Sequence, residues 1–366
     1  RPGSTPIQKK AADYFPDPVT DNVVRVVPLG GVEEVGRNMF AVEVGNDIYV
    51  CDVGFQFVSE DASPGVDYVL PNTKYLEKNQ EKVRAVFITH GHLDHIGGIP
   101  FLMNRFGNPP IYTQNLSAVM IQKRQEEYPE MPKPNLVVVE PGSVHTIGDH
   151  RVKFFPVTHS IPDSMGISIE TPHGNVVATG DLKLDHVDGI ATEAEQKKWA
   201  ELGRDNNLLF IADSTNAEKD GFSIPEKRVH DTLEEIIKTV NGRLIIGTFA
   251  SQFERMIRII QAAERLGKKV VIEGRSIRTN LEIAEKTGLL KVAKGTVIPA
   301  QEIGDYQPDK IVILSTGAQG EEFAALMRIA TKQHKFITLN ERDTIVLSSS
   351  VIPGNEIAVQ KLKDNL

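Results

Sequence analysis

The amino-acid sequence predicts an α/β protein with two domains, one built on mixed sheets and one on a parallel sheet. The first half of the 366 residues is rich in β-branched and apolar runs that short turns connect. After about Asn216, apolar runs alternate regularly with helical patterns, which is typical of a parallel sheet covered by helices. We expect a flexible tail over residues 1–21, a first domain over residues 22–216 and a second domain over residues 217–366.

Two hairpins and a buried strand organise the predicted first domain. The hairpins are expected over residues 40–51, where Gly45-Asn46 is a strong turn signal, and over residues 166–179. The run 84–89 is apolar and rich in β-branched residues, so it predicts a buried strand. Apolar periodicity predicts helices over residues 96–106 and 116–127.

The second domain is predicted from strands at residues 244–249, 269–273, 310–315 and 344–348, with helices at 252–266, 279–286 and 321–331. Two of its βα turns have patterns that suit anions, because helix N-termini present free backbone N–H groups. Residues 251–254 form a capping-box pattern, and residues 316–320 connect a strand to a helix. Both patterns also fit ordinary, well-capped turns.

Composition narrows the classes of protein to which the chain can belong. Hydrophobic residues make up 40% of the sequence and charged residues 25%, as in ordinary soluble proteins. No run of about 18 apolar residues occurs, which argues against a membrane span, and the polar start has no apolar signal core. Cys51 is the only cysteine, so an internal disulfide is excluded and a cytoplasmic location is favoured.

Charge gives two opposing indications about nucleic acid. The formal net charge of −8 argues against an RNA partner, because contacts with phosphate need cations. Residues 243–278, here called the basic stretch, nevertheless contain eight basic and three acidic residues. This stretch is either a solvated helix face or a surface that binds RNA through residues such as Arg255 and Arg275.

The segment from Thr89 to His95 carries three imidazoles and a carboxylate directly after a predicted strand. Because His90 and His92 are separated by one residue, their rings can turn toward a single metal ion. Asp94 and the following His95 can reach a second ion beside it. This concentration of ligand-type side chains predicts a metal centre.

Three further polar residues follow apolar runs elsewhere in the first half. Asp52, His159 and Asp181 each end a predicted strand, so four strand ends can bring ligands to one edge of a sheet. Each residue alone is more typical of a turn, and the prediction depends on their combination. Imidazole and carboxylate ligands without a thiolate favour zinc and also suit manganese or iron.

The order and spacing of these residues resemble the HxHxDH signature and the accompanying motifs of the metallo-β-lactamase superfamily. The resemblance implies a four-layered αββα sandwich for the first domain, with the parallel-sheet domain as an insertion. This combination is similar to the β-CASP nucleases, and within them to the ribonuclease J family. Beyond the metal motif, the resemblance extends over nearly the whole chain from about Val23, in segments 28–38, 179–185, 212–216, 274–276, 315–321 and 348–356.

The resemblance implies a role for each candidate residue. The implied ligands of a first divalent ion are His90, His92 and His159. The implied ligands of a second ion are Asp94 and His95, and Asp181 is expected to bridge both ions. Asp52 would orient the ligands, and Asp213 would donate a proton to the leaving oxygen. The residues expected to contact RNA are Ala250, Ser251, Gln252, Arg275 and Ser276.

The resemblance further implies hydrolysis of RNA phosphodiesters, with endonuclease and 5′-to-3′ exonuclease action on single-stranded RNA that carries a 5′-monophosphate. Two zinc ions, or two manganese ions, and a homodimer or homotetramer are expected with this activity. Two alternatives remain: a metal-dependent hydrolase of small esters or lactones, and an RNA-binding scaffold with an incomplete metal site.

The sequence departs from the family pattern at its end. The family's HxSGH motif and a final metal-binding His follow the insertion, and neither appears before Leu366. The sequence also begins without Met. We therefore expect a C-terminally truncated fragment with an incomplete first domain. Its metal content should be nearer one ion than two, and its nuclease activity should be low or absent.

Overall fold

The computed structural model describes residues 16, 20, 23–58, 63–322, 324–351 and 355–366. The tail predicted for residues 1–21 therefore lies outside the described residues, except for Pro16 and Thr20. The strands are β1 (Val24–Gly30), β2 (Met39–Val44), β3 (Asp47–Cys51), β4 (Gln56–Phe57), β5 (Tyr68–Val69), β6 (Val83–Phe87), β7 (Ile111–Thr113), β8 (Leu136–Val138), β9 (Val144–Ile147), β10 (His150–Pro156), β11 (Met165–Ile169), β12 (Asn175–Ala178), β13 (His186–Val187), β14 (Ile190–Ala191), β15 (Asn207–Ile211), β16 (Leu244–Gly247), β17 (Lys269–Glu273), β18 (Val297–Ile298), β19 (Ile311–Ser315) and β20 (Thr344–Leu347).

Helices connect and cover these strands. The α-helices are α1 (Lys74–Lys78), α2 (Leu93–Ile96), α3 (Ile99–Leu102), α4 (Asn115–Gln125), α5 (Glu193–Leu202), α6 (Glu226–Thr239), α7 (Phe253–Arg265), α8 (Arg275–Lys286), α9 (Ala325–Ala330) and α10 (Glu356–Asn365). Short 3₁₀ helices lie at Gln80–Lys82, Met103–Phe106, Ala300–Asp305 and Pro308–Lys310. Among the described residues, no helix is long and apolar enough to cross a membrane.

The first sheet has the strand order β1-β2-β3-β6-β7-β8. Strands β1, β2 and β3 are antiparallel, whereas β3, β6, β7 and β8 run parallel. The predicted hairpin over residues 40–51 is confirmed, with Val44 opposite Asp47. Helices α1 to α4 cover one face of this sheet, where Leu76 and Phe106 are buried with Ile48 and Val50.

The second sheet has the strand order β15-β12-β11-β10-β9 and packs on the other face of the first. The predicted hairpin over residues 166–179 is confirmed in β11 and β12. Successive side chains of a strand point to opposite faces. In β10, Phe154 therefore enters the core between the sheets, and Phe155 packs against Leu202 and Trp199 of α5. The layers run helices, sheet, sheet, helix, so the predicted αββα sandwich is confirmed.

The third sheet is wholly parallel, with the order β18-β17-β19-β16-β20. Because helices cover both faces, its strands are nearly continuous apolar runs. Leu244 and Ile246 pack with α6, α7 and α8, and Ile245 packs with α9 and α10 on the opposite face. Leu116 and Ile161 of the first domain join the cluster under α6 to α8, so the two domains share a hydrophobic core.

Two helix predictions are wrong in detail. The predicted helix over residues 96–106 is divided into α2, α3 and a 3₁₀ helix. Pro100 cannot donate a backbone hydrogen bond, and its ring would clash with the carbonyl four residues earlier in a continuous helix. Gly97 and Gly98 precede it, and a Cβ on Gly97 would overlap the ring of Phe55. In the second domain, α9 begins at Ala325, so residues 316–320 do not lead directly into a helix.

Candidate metal centre

The predicted ligands meet at one edge of the two stacked sheets, where several strands end. Asp52 follows β3 directly, and Thr89 and His90 follow β6. His159 and Asp181 lie three residues beyond the ends of β10 and β12, in loops rather than on the strands as the sequence had suggested. Strands that end at the same edge of the sheets thus bring side chains from distant parts of the chain to one site.

Asp52 and Thr89 form a buried frame for the histidines. The Asp52 carboxylate accepts hydrogen bonds from the Thr89 backbone N–H at 2.8 Å and from Thr89 Oγ1 at 3.0 and 3.1 Å. It also accepts from His95 Nδ1 at 2.8 Å. Asp52 has a φ of 60°, a left-handed conformation that turns its side chain away from the strand direction. The preceding Cys51 instead packs in the core between the sheets.

The hydrogen bonds of this frame orient the ring of His90. Thr89 Oγ1 donates to Asp52, so it accepts from His90 Nδ1, which lies 3.0 Å away. The proton of His90 is therefore on Nδ1, and Nε2 presents a free lone pair. An oriented imidazole of this kind is typical of metal-binding histidines.

His92 presents a second lone pair to the same point. Its Nε2 lies 3.1 Å from the carbonyl oxygen of Ser251 and donates to it, which leaves Nδ1 without a proton. Nδ1 of His92 is 3.0 Å from Nε2 of His90. Two buried nitrogen lone pairs at this distance repel each other unless a cation lies beside them. The donor atoms therefore fit a metal ion.

Two overlapping sets of side chains have the spacing of a metal site. Nitrogens of His90, His92 and His159 lie within 4.8 Å of one another. Ligand atoms of His90, His95 and Asp181 form a second set at the same limit. The predicted two-ion cluster had Asp181 as the shared ligand, whereas in these two sets the shared residue is His90. The sets consist of imidazole and carboxylate and fit divalent metal ions.

Asp94 lies at the rim of the second set. Its Oδ2 is 3.4 Å from His95 Nε2, but it belongs to neither set. Asn38 Nδ2 lies 3.2 Å from Asp94 Oδ2 and 3.0 Å from His95 Nε2. Asn38 and Thr89, which were not among the predicted site residues, both contact the ligands. Both lie within segments already singled out in the sequence, residues 28–38 and 89–95, and this was the available signal.

Burial and neighbouring charges shift the pKa values of the ligands so that they can bind a cation. Burial, followed by repulsion from His95, lowers the pKa of His90 well below its usual value. Burial and the nearby His92 lower the pKa of His159 to about 4. Burial also lowers the pKa of His92. Their lone pairs are therefore free at neutral pH.

His95 behaves in the opposite way. Burial alone would lower its pKa, but the carboxylates of Asp52, Asp94 and Asp181 raise it well above the usual value. Burial opposes ionisation of Asp94, yet His95 holds the pKa of that carboxyl down to about 2. The Nε2 atom of His95 therefore favours a bound cation, which is either a proton or a metal ion.

Asp213 lies beside the metal ligands but outside both sets. Its Oδ2 accepts from the backbone N–H of Leu182 at 3.2 Å, and its Oδ1 accepts from Thr215 at 2.8 Å. Leu182 directly follows Asp181, so the carboxylates of Asp181 and Asp213 flank the same turn. This position suits a group that acts on a substrate bound at the metals rather than on the metals themselves.

The second domain reaches the centre through the loop of residues 250–252. The Ser251 carbonyl contacts His92, as described above, and the Ala250 carbonyl accepts a hydrogen bond from Asn280 Nδ2 at 2.7 Å. Helix α7 begins at Phe253 without a side-chain cap, so the predicted capping box does not form. Ser251 is exposed and Gln252 is half-buried, and both therefore remain accessible beside His92.

A cleft of about 530 Å³ between the domains leads to His159. Gln114 and Ser164 line it from the first domain, and Arg258 and Gln261 line it from the second. Gln114 is almost fully buried, and its Nε2 has no hydrogen-bond partner among the described residues. An unpaired buried amide N–H can be satisfied by an oxygen of a ligand in the cleft. The sequence gave no signal for this residue.

Ion pairs neutralise half of the eight basic residues in the basic stretch. Four of its arginines pair with carboxylates: Arg243 with Asp343, Arg255 with Glu226, Arg258 with Glu254 and Arg265 with Glu234. Arg255 is buried and also donates to the Ser348 carbonyl at 2.8 Å, so its prediction as an RNA-binding residue is wrong. Arg275 and Ser276 are exposed in the first turn of α8.

Comparison with known proteins identifies both parts of the chain. Residues 34–225 match the family profile described as "Metallo-beta-lactamase superfamily", and residues 241–366 match "Ribonuclease J, beta-CASP domain". A solved protein of unknown function from Enterococcus faecalis has a similar fold, with a TM-score of 0.56 and 17% identity over 80% of this chain and 76% of that chain.

Curated relatives extend the similarity over nearly the whole chain. Ribonuclease J of Mycoplasma pneumoniae is 37% identical over 93% of this chain and 60% of its own length. Ribonuclease J2 of Bacillus subtilis is 35% identical over 95% of the chain and 62% of its length. Ribonuclease J of Thermus thermophilus is 38% identical over 94% of the chain and 61% of its own length. The chain belongs to the metallo-β-lactamase superfamily, and its second domain is similar to the β-CASP domain of ribonuclease J.

Proposed function

We propose that the protein is a metal-dependent ribonuclease that hydrolyses phosphodiester bonds of single-stranded RNA. The observation that carries this proposal is the pair of overlapping ligand sets around His90, with Asp213 at their side and Ser251 of the second domain against them. The chain spans about 60% of the length of the curated relatives it matches. The activity is therefore proposed for the protein that contains these two domains.

The side chains of the site have separate tasks in this reaction. Asp52 and Thr89 hold His90 and His95 in the orientation that directs Nε2 into the site. Asp181 is proposed as the ligand that links both ions, and Asp213 as the group that passes a proton to the leaving oxygen. Two divalent ions, when bound, stabilise the charge of the phosphate and activate the attacking water. Zinc is the first choice for this donor set, and manganese is the second.

The cleft between the domains is proposed to hold the RNA strand. Gln114 Nε2 would donate to an oxygen of the strand, and Ala250, Ser251, Gln252, Arg275 and Ser276 would contact its backbone. Such contacts carry little sequence information, so we expect low sequence specificity. We further propose combined endonuclease and 5′-to-3′ exonuclease action, a preference for a 5′-monophosphate, assembly as a dimer or tetramer, and a cytoplasmic location.

The proton-donor role of Asp213 can be separated from a ligand role. Asp213→Asn should lower the single-turnover rate of RNA cleavage by about 10²–10⁴-fold, the usual effect of losing a general acid. Its metal content should equal that of the unaltered protein. Glu218→Gln removes an exposed carboxylate five residues away and serves as the matched control, with no change in rate. Loss of metal from Asp213→Asn, or an unchanged rate, would refute the assignment.

A further inference from the structure

The second domain contains a cavity of about 620 Å³ that is separate from the metal centre. It opens beside β17 and β18 and is bounded by the start of α8 and by residues 333–336, which follow α9. Its walls include the apolar side chains of Leu281, Val297 and Ile298. This volume is in the usual range for sites that bind small molecules.

Three cationic side chains line this cavity: Arg278, Arg328 and Lys335. All three are exposed, and within the part of the chain that the structure describes none of them forms an ion pair. Arg278 Nη2 donates only to the backbone carbonyl of Ile272, at 3.2 Å. Their charges are therefore available to an anion, in contrast to the paired arginines of the basic stretch.

Among the described residues that line the cavity, Glu273 carries the one carboxylate, and His334 donates a hydrogen bond to it. His334 Nδ1 accepts backbone hydrogen bonds from Phe336 at 3.3 Å and Ile337 at 3.2 Å, so the ring proton lies on Nε2. Nε2 is 3.1 Å from Glu273 Oε2 and donates to it. These bonds fix the loop that carries Lys335 and Phe336. Among the described lining residues this carboxylate faces three cations, so positive charge dominates the cavity.

An aromatic ring lies beside the cations. Phe336 lines the cavity, is 40% exposed, and has Lys335 Nζ 5.0 Å from the centre of its ring. Exposed aromatic rings next to cations are the usual platform on which a nucleobase stacks near a bound phosphate. We propose that this cavity binds a nucleoside phosphate, with Arg278, Arg328 and Lys335 on the phosphate group and Phe336 against the base. This site does not depend on the proposed hydrolysis.

Calorimetric titration with adenosine 5′-monophosphate tests the site. Arg278→Ala combined with Arg328→Ala should weaken binding by about tenfold or more, because charge-assisted hydrogen bonds to phosphate are lost. Lys197→Ala with Arg204→Ala removes two exposed cations at α5 and should leave binding unchanged. Phe336→Ala should weaken the nucleotide but not inorganic phosphate, and it gives an independent test if the double variant is unstable.

The metal centre could also bind phosphate, so the titration is repeated with His92→Ala, which should still bind the nucleotide. Nucleotide binding that disappears in His92→Ala but persists in the double arginine variant would overturn the proposal, as would no binding to the unaltered protein. A 5′-phosphorylated tetranucleotide distinguishes two sources of the ligand. Displacement of the mononucleotide by this strand assigns the site to an RNA end, and failure to displace it assigns the site to free nucleotides.

Discussion

Asp52→Asn is the change that most directly tests how the metal ligands are oriented. The Asp52 carboxylate accepts from Thr89 N, Thr89 Oγ1 and His95 Nδ1 and is only 4% exposed. An amide of the same shape keeps one acceptor and turns an NH₂ group toward at least one of these donors. Asn also tolerates the φ of 60° at this position, so the backbone should be undisturbed.

Two magnitudes follow from the loss of this carboxylate. Metal affinity should fall by about 10–100-fold, the usual effect of removing the group that orients a ligating histidine. The free energy of unfolding of the metal-free protein should fall by about 1.5–3 kcal/mol, the contribution of a hydrogen bond to a charged group. Competition with a chelator measures the first quantity, and urea unfolding measures the second.

Asp47→Asn is the matched control for this experiment. Asp47 is also a buried aspartate of the first sheet, and it pairs with Arg84 and accepts from Tyr49, away from the metal ligands. Its replacement should lower stability without changing metal affinity. The reasoning is refuted if Asp52→Asn binds metal as tightly as the unaltered protein, or if both variants lose affinity equally.

Three further outcomes are expected. Without metal, the free energy of unfolding should fall as the pH drops from about 6.5 to about 4, because the unfolded chain protonates its histidines first, and each histidine with a lowered pKa (His90, His92, His159) contributes up to about 1.4 kcal/mol per pH unit. His95, whose pKa is raised, is protonated in both states over this range and adds little to the slope, so a flat urea-unfolding profile would contradict the expectation. Gly54→Ala should abolish metal binding in a chelator assay, because a Cβ there would overlap the Asp94 carbonyl. Gly304→Ala should bind metal normally, because its Cβ would meet no described residue within 4 Å apart from its own chain neighbours. Leu208→Lys, on the exposed edge strand β15, should reduce self-association in sedimentation experiments, and an unchanged mass distribution would show that this edge is not involved.

The fold and the ligand cluster were predictable because both depend on local patterns. The hairpin over residues 40–51 needed only a turn dipeptide between apolar runs, and the alternation after Asn216 identified the parallel sheet. The segment from Thr89 to His95 was recognisable as a metal-binding motif from the types of its side chains. The continuous helix predicted over residues 96–106 was wrong because the clash that Pro100 would cause in it outweighed the apolar periodicity.

Residues whose role depends on distant partners could not be predicted. Arg255 lies in a basic stretch, but Glu226 pairs with it from another helix and removes its charge from the surface. Ser251 fits a capping box, yet its carbonyl meets His92, which lies 159 positions away in the sequence. Gln114 belongs to no recognisable sequence motif. Its unpaired amide lies in a cleft that forms only when the two domains pack together, so the sequence could not indicate it.

The most direct test of the proposed function is metal-dependent cleavage of RNA under single-turnover conditions, with protein in excess so that slow cleavage is detected. We predict that a 5′-monophosphorylated, single-stranded RNA is cleaved when zinc or manganese is present, and that His90→Ala, which removes the residue shared by both ligand sets, abolishes cleavage. Lys197→Ala with Arg204→Ala should cleave normally. If the RNA stays intact while a chromogenic ester or lactone is hydrolysed in a metal-dependent reaction, the proposal is contradicted and the protein is a small-molecule hydrolase. If RNA is bound but neither substrate is turned over, the proposal is also contradicted and the protein is a scaffold.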